Sequence, residues 1–143
     1  MALNLSHTDR QLVTFFLGRE EYAVNVMAVR EIINMTDITK MAKSPSHVEG
    51  VINLRGGIVP VISLRKRFGL PGIAENDDFL SCITVMDFAG ALTGFIIDEV
   101  SDVIRVAQSE ILPPLDPVGQ PWIEGMLNLD QRLVVVLNLE NLA

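Results

Sequence analysis

The chain has one cysteine, one tryptophan, one tyrosine and two histidines in 143 residues, which leaves little from which to build the commonest reactive sites. A lone Cys82 excludes an internal disulfide and fits a reducing, cytoplasmic setting. His7 and His47 stand in neither a His-x-x-His nor a Cys-x-x-Cys spacing, so no metal site is expected. Basic residues are also scarce, 11 against 18 acidic ones, for a formal net charge of −7. That balance, with only 6% aromatic residues, argues against nucleic acid or an anionic membrane surface as the main partner. Apolar runs are short: "LVVVL" (133–137) falls far below the ~20 residues of a membrane-spanning helix, and no membrane insertion is expected. "MALNLSHTDR" lacks a basic segment followed by an apolar one, so no secretory signal is read, and residues 1–10 are taken as a flexible tail. There is no Gly-x-Ser-x-Gly, Walker loop or dinucleotide fingerprint, and the Gly56-Gly57 pair lacks the lysine and helix start of a phosphate cradle. Neither an enzyme nor a cofactor is expected.

What the chain does have is aliphatic residues in short, β-prone stretches. Hydrophobic residues make up 49% of it, enough for one core or two small ones. "QLVTFFL" (11–17) and "YAVNV" (22–26), joined by "GREE", read as two strands. "MAVREII" (27–33), apolar at 29, 32 and 33, fits a short helix. "VEGVINL" and "IVPVISL" flank two glycines and read as a hairpin, followed by one helical turn in "RKRFGL" (65–70) and a polar loop in "GIAENDD" (72–78). Further strands are expected in "LSCITVMDF" (80–88), "LTGFIIDEV" (92–100) and "DVIRV" (102–106). "QSEILPPLDPVGQP" (108–121) holds four of the seven prolines and excludes regular structure, and the end reads as a hairpin with a short helix.

Residues 49–64, "EGVINLRGGIVPVISL", align without a gap on 124–139, "EGMLNLDQRLVVVLNL", with seven of sixteen positions identical. Unrelated sequences would share roughly one. More weakly, "YAVNVMAVREII" echoes "TGFIIDEVSDVI", with Val29 facing Val100 and Ile32 facing Val103. Two related β subdomains follow, each a curled sheet closing its own small core.

The copies differ at the hairpin tip, where Arg55-Gly56-Gly57 becomes Asp130-Gln131-Arg132, and at Pro60, which becomes Val135. Proline cannot donate to a sheet ladder, so Pro60 is expected on an edge strand or at a bulge. Arg55 is read either as a soluble turn residue or as a recognition element, a rigid fork of donors suited to carboxylates and carbonyls. Arg55, Arg65, Lys66 and Arg67 fall within thirteen residues and read equally as a basic docking face or as a solvated helix start. Asp98, Glu99 and Asp102 form an acidic cluster, either a catalytic carboxylate set or an acidic strand end facing water. Cys82 opens an apolar strand and reads as a buried structural thiol. Six methionines are read as core filling before an adaptable binding surface.

The stretches "FFLGREEYAVNVMAVREII", "VEGVINLRGGIVPVISLRKRFGL", "TGFIIDEVSDVIRV" and "IEGMLNLDQRLVVVLNLENL" together resemble the CheW family of bacterial chemotaxis coupling proteins, over residues 11 to 142. The "NLRG…PV…L" stretch is the most specific of them. The resemblance implies a single CheW-like domain, mainly β. It would comprise two pseudo-symmetric, interleaved, five-stranded SH3-like β-barrel subdomains packed around a shared hydrophobic seam, with short helices. It implies a cytoplasmic, non-catalytic adaptor, monomeric alone, that bridges a chemoreceptor's helical hairpin to the histidine kinase CheA in large arrays at the inner membrane. In the family the receptor hairpin lies in the groove between the subdomains. Arg55 matches the motif arginine, Val29 and Glu31 match positions implicated in receptor coupling, and Cys82 and Ile83 align with an apolar pair on the groove wall. The kinase contact falls around Gly56, Gly57 and Pro60. Three other readings compete: an adaptor of a surface-motility or second-messenger pathway, a small ligand-binding β-barrel, and an enzyme built on the acidic cluster.

Overall fold

The computed structural model describes residues 9–70 and 81–142, and is almost entirely β. The expected loop at 72–78 lies outside the described residues, as do residues 1–8 of the expected tail, whereas Asp9 and Arg10 already belong to the first strand. In chain order the strands are β1 (Asp9–Leu17), β2 (Glu20–Asn25), β3 (Val29–Asn34), β4 (Val48–Leu54) and β5 (Gly57–Ser63), then β6 (Cys82–Phe88), β7 (Ala91–Ile97), β8 (Glu99–Ala107), β9 (Ile123–Leu129) and β10 (Arg132–Leu137). A single α-helical turn, α1 (Leu64–Arg67), follows β5. Ser63 caps it by accepting from the Lys66 N–H at 3.3 Å, and Gly69 at φ 72° ends it.

The expected helix at 27–33 is not formed. Val26–Ala28 make one 3-10 turn and Val29–Asn34 are strand β3, in which half-buried and exposed residues alternate. Three of those six residues are β-branched (Val29, Ile32 and Ile33), which favours the pleated surface, and pairing with β6 settles the competition.

The strands form two five-stranded sheets, ordered β8-β1-β2-β10-β9 and β3-β6-β7-β5-β4. The chain accordingly divides into two units, one of described residues up to Met27 and from Val100 onward, the other of Ala28–Glu99. Matching β1, β2, β8, β9 and β10 to β6, β7, β3, β4 and β5 carries one sheet order onto the other. The internal repeat is therefore a repeat of topology, with the strand after each first hairpin (β3, β8) contributed to the other half's sheet. The first unit buries Leu12, Ala23, Val106, Leu127, Val134 and Val136 in one cluster, and the second buries Ile52, Val59, Val61, Ile83 and Val85 in another. Each unit thus buries a core of its own, in keeping with the repeat.

The identities kept between the copies have visible causes. The residue after each shared glycine makes a two-way bridge to a crossing segment. Val51 exchanges N–H···O bonds of 2.9 Å with Thr39, and Met126 exchanges bonds of 2.7 and 2.9 Å with Leu112. A Cβ on Gly50 would lie 2.1 Å from the Thr39 carbonyl oxygen, and one on Gly125 would lie 2.3 Å from that of Leu112. Each shared glutamate holds a cation. Glu49 pairs with Lys66 at 2.6 Å, and Glu124 pairs with Arg10 at 2.5 Å.

Pro60 is not on an edge strand, because β5 lies between β4 and β7. Counting from the turn-closing pair Leu54–Gly57, the Val51–Pro60 pair is a non-hydrogen-bonded one, so the proline nitrogen faces β7. Pairing with β7 starts only at Val61. In the other copy β10 pairs with β2 from Val134 to Val136, so Val135 faces Tyr22 across a formed ladder that a proline would interrupt.

Candidate functional site

The "NLRG" hairpin is a tight two-residue turn. Arg55 (φ 49°) and Gly56 (φ 85°) both lie in the left-handed region, the combination a type I′ turn requires. Its counterpart makes the same turn with Asp130 (φ 43°) and Gln131 (φ 72°). The backbone geometry therefore does not depend on Gly56, which only relieves strain that Gln131 bears. Gly57, paired with Leu54, has open surroundings apart from the Leu54 oxygen, which would lie 3.4 Å from a Cβ added there. Asn53 completes the turn, its Oδ1 accepting the Gly56 N–H at 3.0 Å. Asp87 does the same for Gly90 at 2.7 Å in the β6–β7 turn, at a spacing of three in the sequence.

Arg55 stands at this tip with its side chain 69% exposed, yet it is partnered. Its guanidinium forks onto the Glu31 carboxylate of β3, one Nη on each oxygen. β3 and β4 are the two outer strands of their sheet, and the pair links β3 to the turn that follows β4. Two residues the sequence separates by 24 positions thus form one charged device with a planar, bidentate geometry. Val29 lies two residues before Glu31, opposite Met86 at a β-bulge and only half-buried. The bulge falls between Val29 and Glu31, where such irregularities re-aim side chains. Ile32 (exposed) follows, and Ile58 of β5, two residues beyond the turn, is also exposed.

Cys82 and Ile83 pair with Asn34 and Ile33 at the far end of β3, on the inside. Ile83 is fully buried in the core cluster, and burial pushes the Cys82 thiol above its ordinary pKa, as expected of a structural cysteine. These two shape the sheet that carries Val29 and Glu31. Gly56, Gly57 and Pro60 sit with Arg55 on the β4–β5 hairpin.

Three of the four residues of the possible basic face are paired with carboxylates. Arg55 pairs with Glu31, Lys66 with Glu49, and Arg65 donates from Nε to both oxygens of Asp98 at 2.9 and 3.1 Å. Asp98 is thereby withdrawn from the acidic cluster. Asp102 is held apart through its backbone, which exchanges bonds with the Thr14 hydroxyl at 3.1 and 3.3 Å. Among the described residues no group of three or more His, Cys, Asp or Glu side chains is placed to hold a metal ion. Nor is any described helix long and apolar enough to cross a membrane.

A mainly β chain with two topologically matched five-stranded sheets, the NLRG turn and the arginine–glutamate pair defines a class. Residues 11–143 match the CheW-like domain family, and the chain belongs to it. It is 36% identical over 134 residues to the chemotaxis protein CheW of Bacillus subtilis, covering 92% of this chain and 85% of that one. It is 34% identical over 137 residues to the chemotaxis protein CheW of Treponema pallidum, with 92% and 81% covered. The crystal structure of scaffolding protein TtCheW from Thermoanaerobacter tengcongensis superimposes with a TM-score of 0.83 at 32% identity, covering 91% of this chain and 84% of that one.

Proposed function

We propose that this chain is a non-catalytic adaptor that couples the cytoplasmic tips of chemoreceptors to the histidine kinase CheA. The reading rests on membership of the CheW family and on one observation above all: Arg55, exposed at the NLRG turn, is held in place by Glu31. A charged group kept at the surface in a fixed orientation suits recognition better than folding, because exposed ion pairs add at most ~1 kcal/mol to stability. Beside it, half-buried Val29 supplies an aliphatic contact. A receptor helical hairpin offers the complement, apolar knobs flanked by polar residues. The hairpin from Gly56 to Pro60 is the proposed kinase-facing element, with the exposed Ile58 as its apolar contact. In the cell the adaptor works in the cytoplasm, within receptor arrays at the inner membrane, where many moderate contacts add through effective concentration.

Calorimetric titration with the regulatory domain of CheA, and co-sedimentation with a receptor fragment in membranes, test this reading. Saturable binding of both by the unmodified chain is the expected result. Arg55→Ala and Val29→Ala should weaken receptor co-sedimentation by about tenfold or more, as hot-spot truncations do. A folded chain that binds neither partner would overturn the proposal.

A further inference from the structure

Core filling is the default role of methionine, and the structure gives it to a minority of those described. Met86 is buried and Met126 half-buried, whereas Met27, Met41 and Met35 are exposed by 84%, 53% and 42%. With so little of it covered, the Met27 side chain adds almost nothing to a core. Its backbone is nevertheless fixed. Val26–Ala28 form the 3-10 turn between β2 and β3, and Asn25 Oδ1 accepts the Met27 N–H at 3.0 Å. Two residues on, at most about 7 Å of chain away, stands Val29, the aliphatic contact of the proposed receptor surface.

The internal repeat shows what the fold requires at this position. When "YAVNVMAVREII" is set on "TGFIIDEVSDVI", Met27 falls on Asp98, in the matching connection between β7 and β8. An oxygen-bearing side chain therefore suits the connection, and the thioether is not needed for it. A thioether does one thing that a carboxylate cannot: its sulfur takes an oxygen atom from a peroxide. We propose that Met27 is a reversible oxidation site, at which a hydroperoxide converts the thioether to a sulfoxide and so weakens receptor coupling. This regulation rests on the adaptor reading given above. With hydrogen peroxide, an S–O bond forms and the O–O bond breaks, sulfur gives up two electrons, and the second peroxide oxygen leaves as water. A methionine sulfoxide reductase reverses the step with two thiols, which become a disulfide while the oxygen leaves as water. Beside Val29 the new polar group must be desolvated against an apolar partner surface, which opposes docking. Cys82 competes poorly for the oxidant, because it is buried and burial keeps its thiol protonated.

The test treats the full chain with hydrogen peroxide and locates the sulfoxides by peptide mass. Co-sedimentation with receptor membranes and titration with the regulatory domain of CheA are run in parallel. Met27 should be oxidised before Met41 and Met35, and Met86 should stay reduced while the chain is folded. Receptor co-sedimentation of the treated chain should weaken by about tenfold or more, with an unchanged denaturation midpoint, and the reductase should restore it. In Met27→Leu the same treatment should alter co-sedimentation less than twofold, although Met35 and Met41 remain oxidisable. Met27→Gln, which places an oxygen there without peroxide, should weaken co-sedimentation by a factor similar to oxidation. The proposal is overturned if the oxidised chain co-sediments as well as the untreated one, or if Met27→Leu loses coupling on treatment as fully as the unmodified chain. Oxidation of Met35 or Met41 ahead of Met27 would also overturn it. An untreated chain that binds CheA but no receptor overturns the receptor reading itself, and this regulation with it.

Discussion

At the scale of single residues, the three glycines of the β4–β5 hairpin are not equivalent. Gly50, at φ 147°, has the Thr39 carbonyl where a Cβ would go, so Gly50→Ala should force the crossing segment away and cost at least ~2 kcal/mol in chemical denaturation. Gly56→Ala meets no atom within 4 Å and carries only the left-handed backbone penalty, about 1 kcal/mol. Gly57→Ala should be close to neutral, since the other copy carries Arg132 there. A different separation is expected at the ion pair. Arg55→Ala and Glu31→Gln should each shift stability by less than ~1 kcal/mol, with a small coupling in the double-mutant cycle, while receptor coupling is lost in both. A stability loss of several kcal/mol in either variant would assign the pair to the fold and remove it from the proposed recognition surface.

At the scale of the element, the contrast between β5 and β10 gives a reciprocal test. Pro60→Val should leave stability unchanged within error, because the register with β7 begins only at Val61 and a valine N–H at position 60 gains no registered partner. Val135→Pro should cost about 2 kcal/mol, the loss of a formed ladder bond beside Tyr22, read as a lower denaturation midpoint. The hairpin, the repeat and the two cores were legible in the sequence because aliphatic alternation and turn glycines act locally. Pro60 was misplaced because an edge and an unpaired stretch of an interior strand look alike until the neighbour's register is known. β3 was misread for the same reason. Six residues with apolar positions 29, 32 and 33 satisfy a helical spacing, and only pairing with β6 and a bulge at Val29 decide for a strand. In the candidate site Arg55, Val29 and Glu31 were readable from a motif, but the Glu31–Arg55 bond was not, since no local pattern links a strand residue to a turn 24 positions further on. Glu21 was hidden similarly. In "GREEY" it looks like a solvated turn acid, and the pleat, set by Ala23, turns it inward.

At the scale of the whole molecule, alkaline pH probes the folded state as a unit. Burial raises the pKa of Cys82, and burial first, with the Glu20 hydrogen bond second, raises that of Tyr22. Above the ordinary thiol value the unfolded chain releases protons that the folded chain retains, so ν_U − ν_N is negative and stability falls as pH rises. Stability should therefore be at its full value below pH ~8.5 and decline above it, first through Cys82 and then through Tyr22. Cys82→Ala should flatten the first part of that slope, and a thiol reagent should modify the native chain only at the rate of its opening.

The exchange of β3 and β8 also sets a timetable for synthesis. All strands of the unit from Ala28 to Glu99 have been made once β7 is complete, so its sheet can assemble while the remainder is still being translated. The β1–β2 hairpin, made first, must wait for β8, β9 and β10, more than seventy residues later, before its apolar residues Leu12 and Ala23 find their core. During that interval a nascent chain carries an unpaired hairpin with open edges, the form in which β proteins associate wrongly or engage a chaperone. A chain truncated at about residue 100 and released should therefore yield a protease-resistant fragment from its later part, with its own beginning still cleavable.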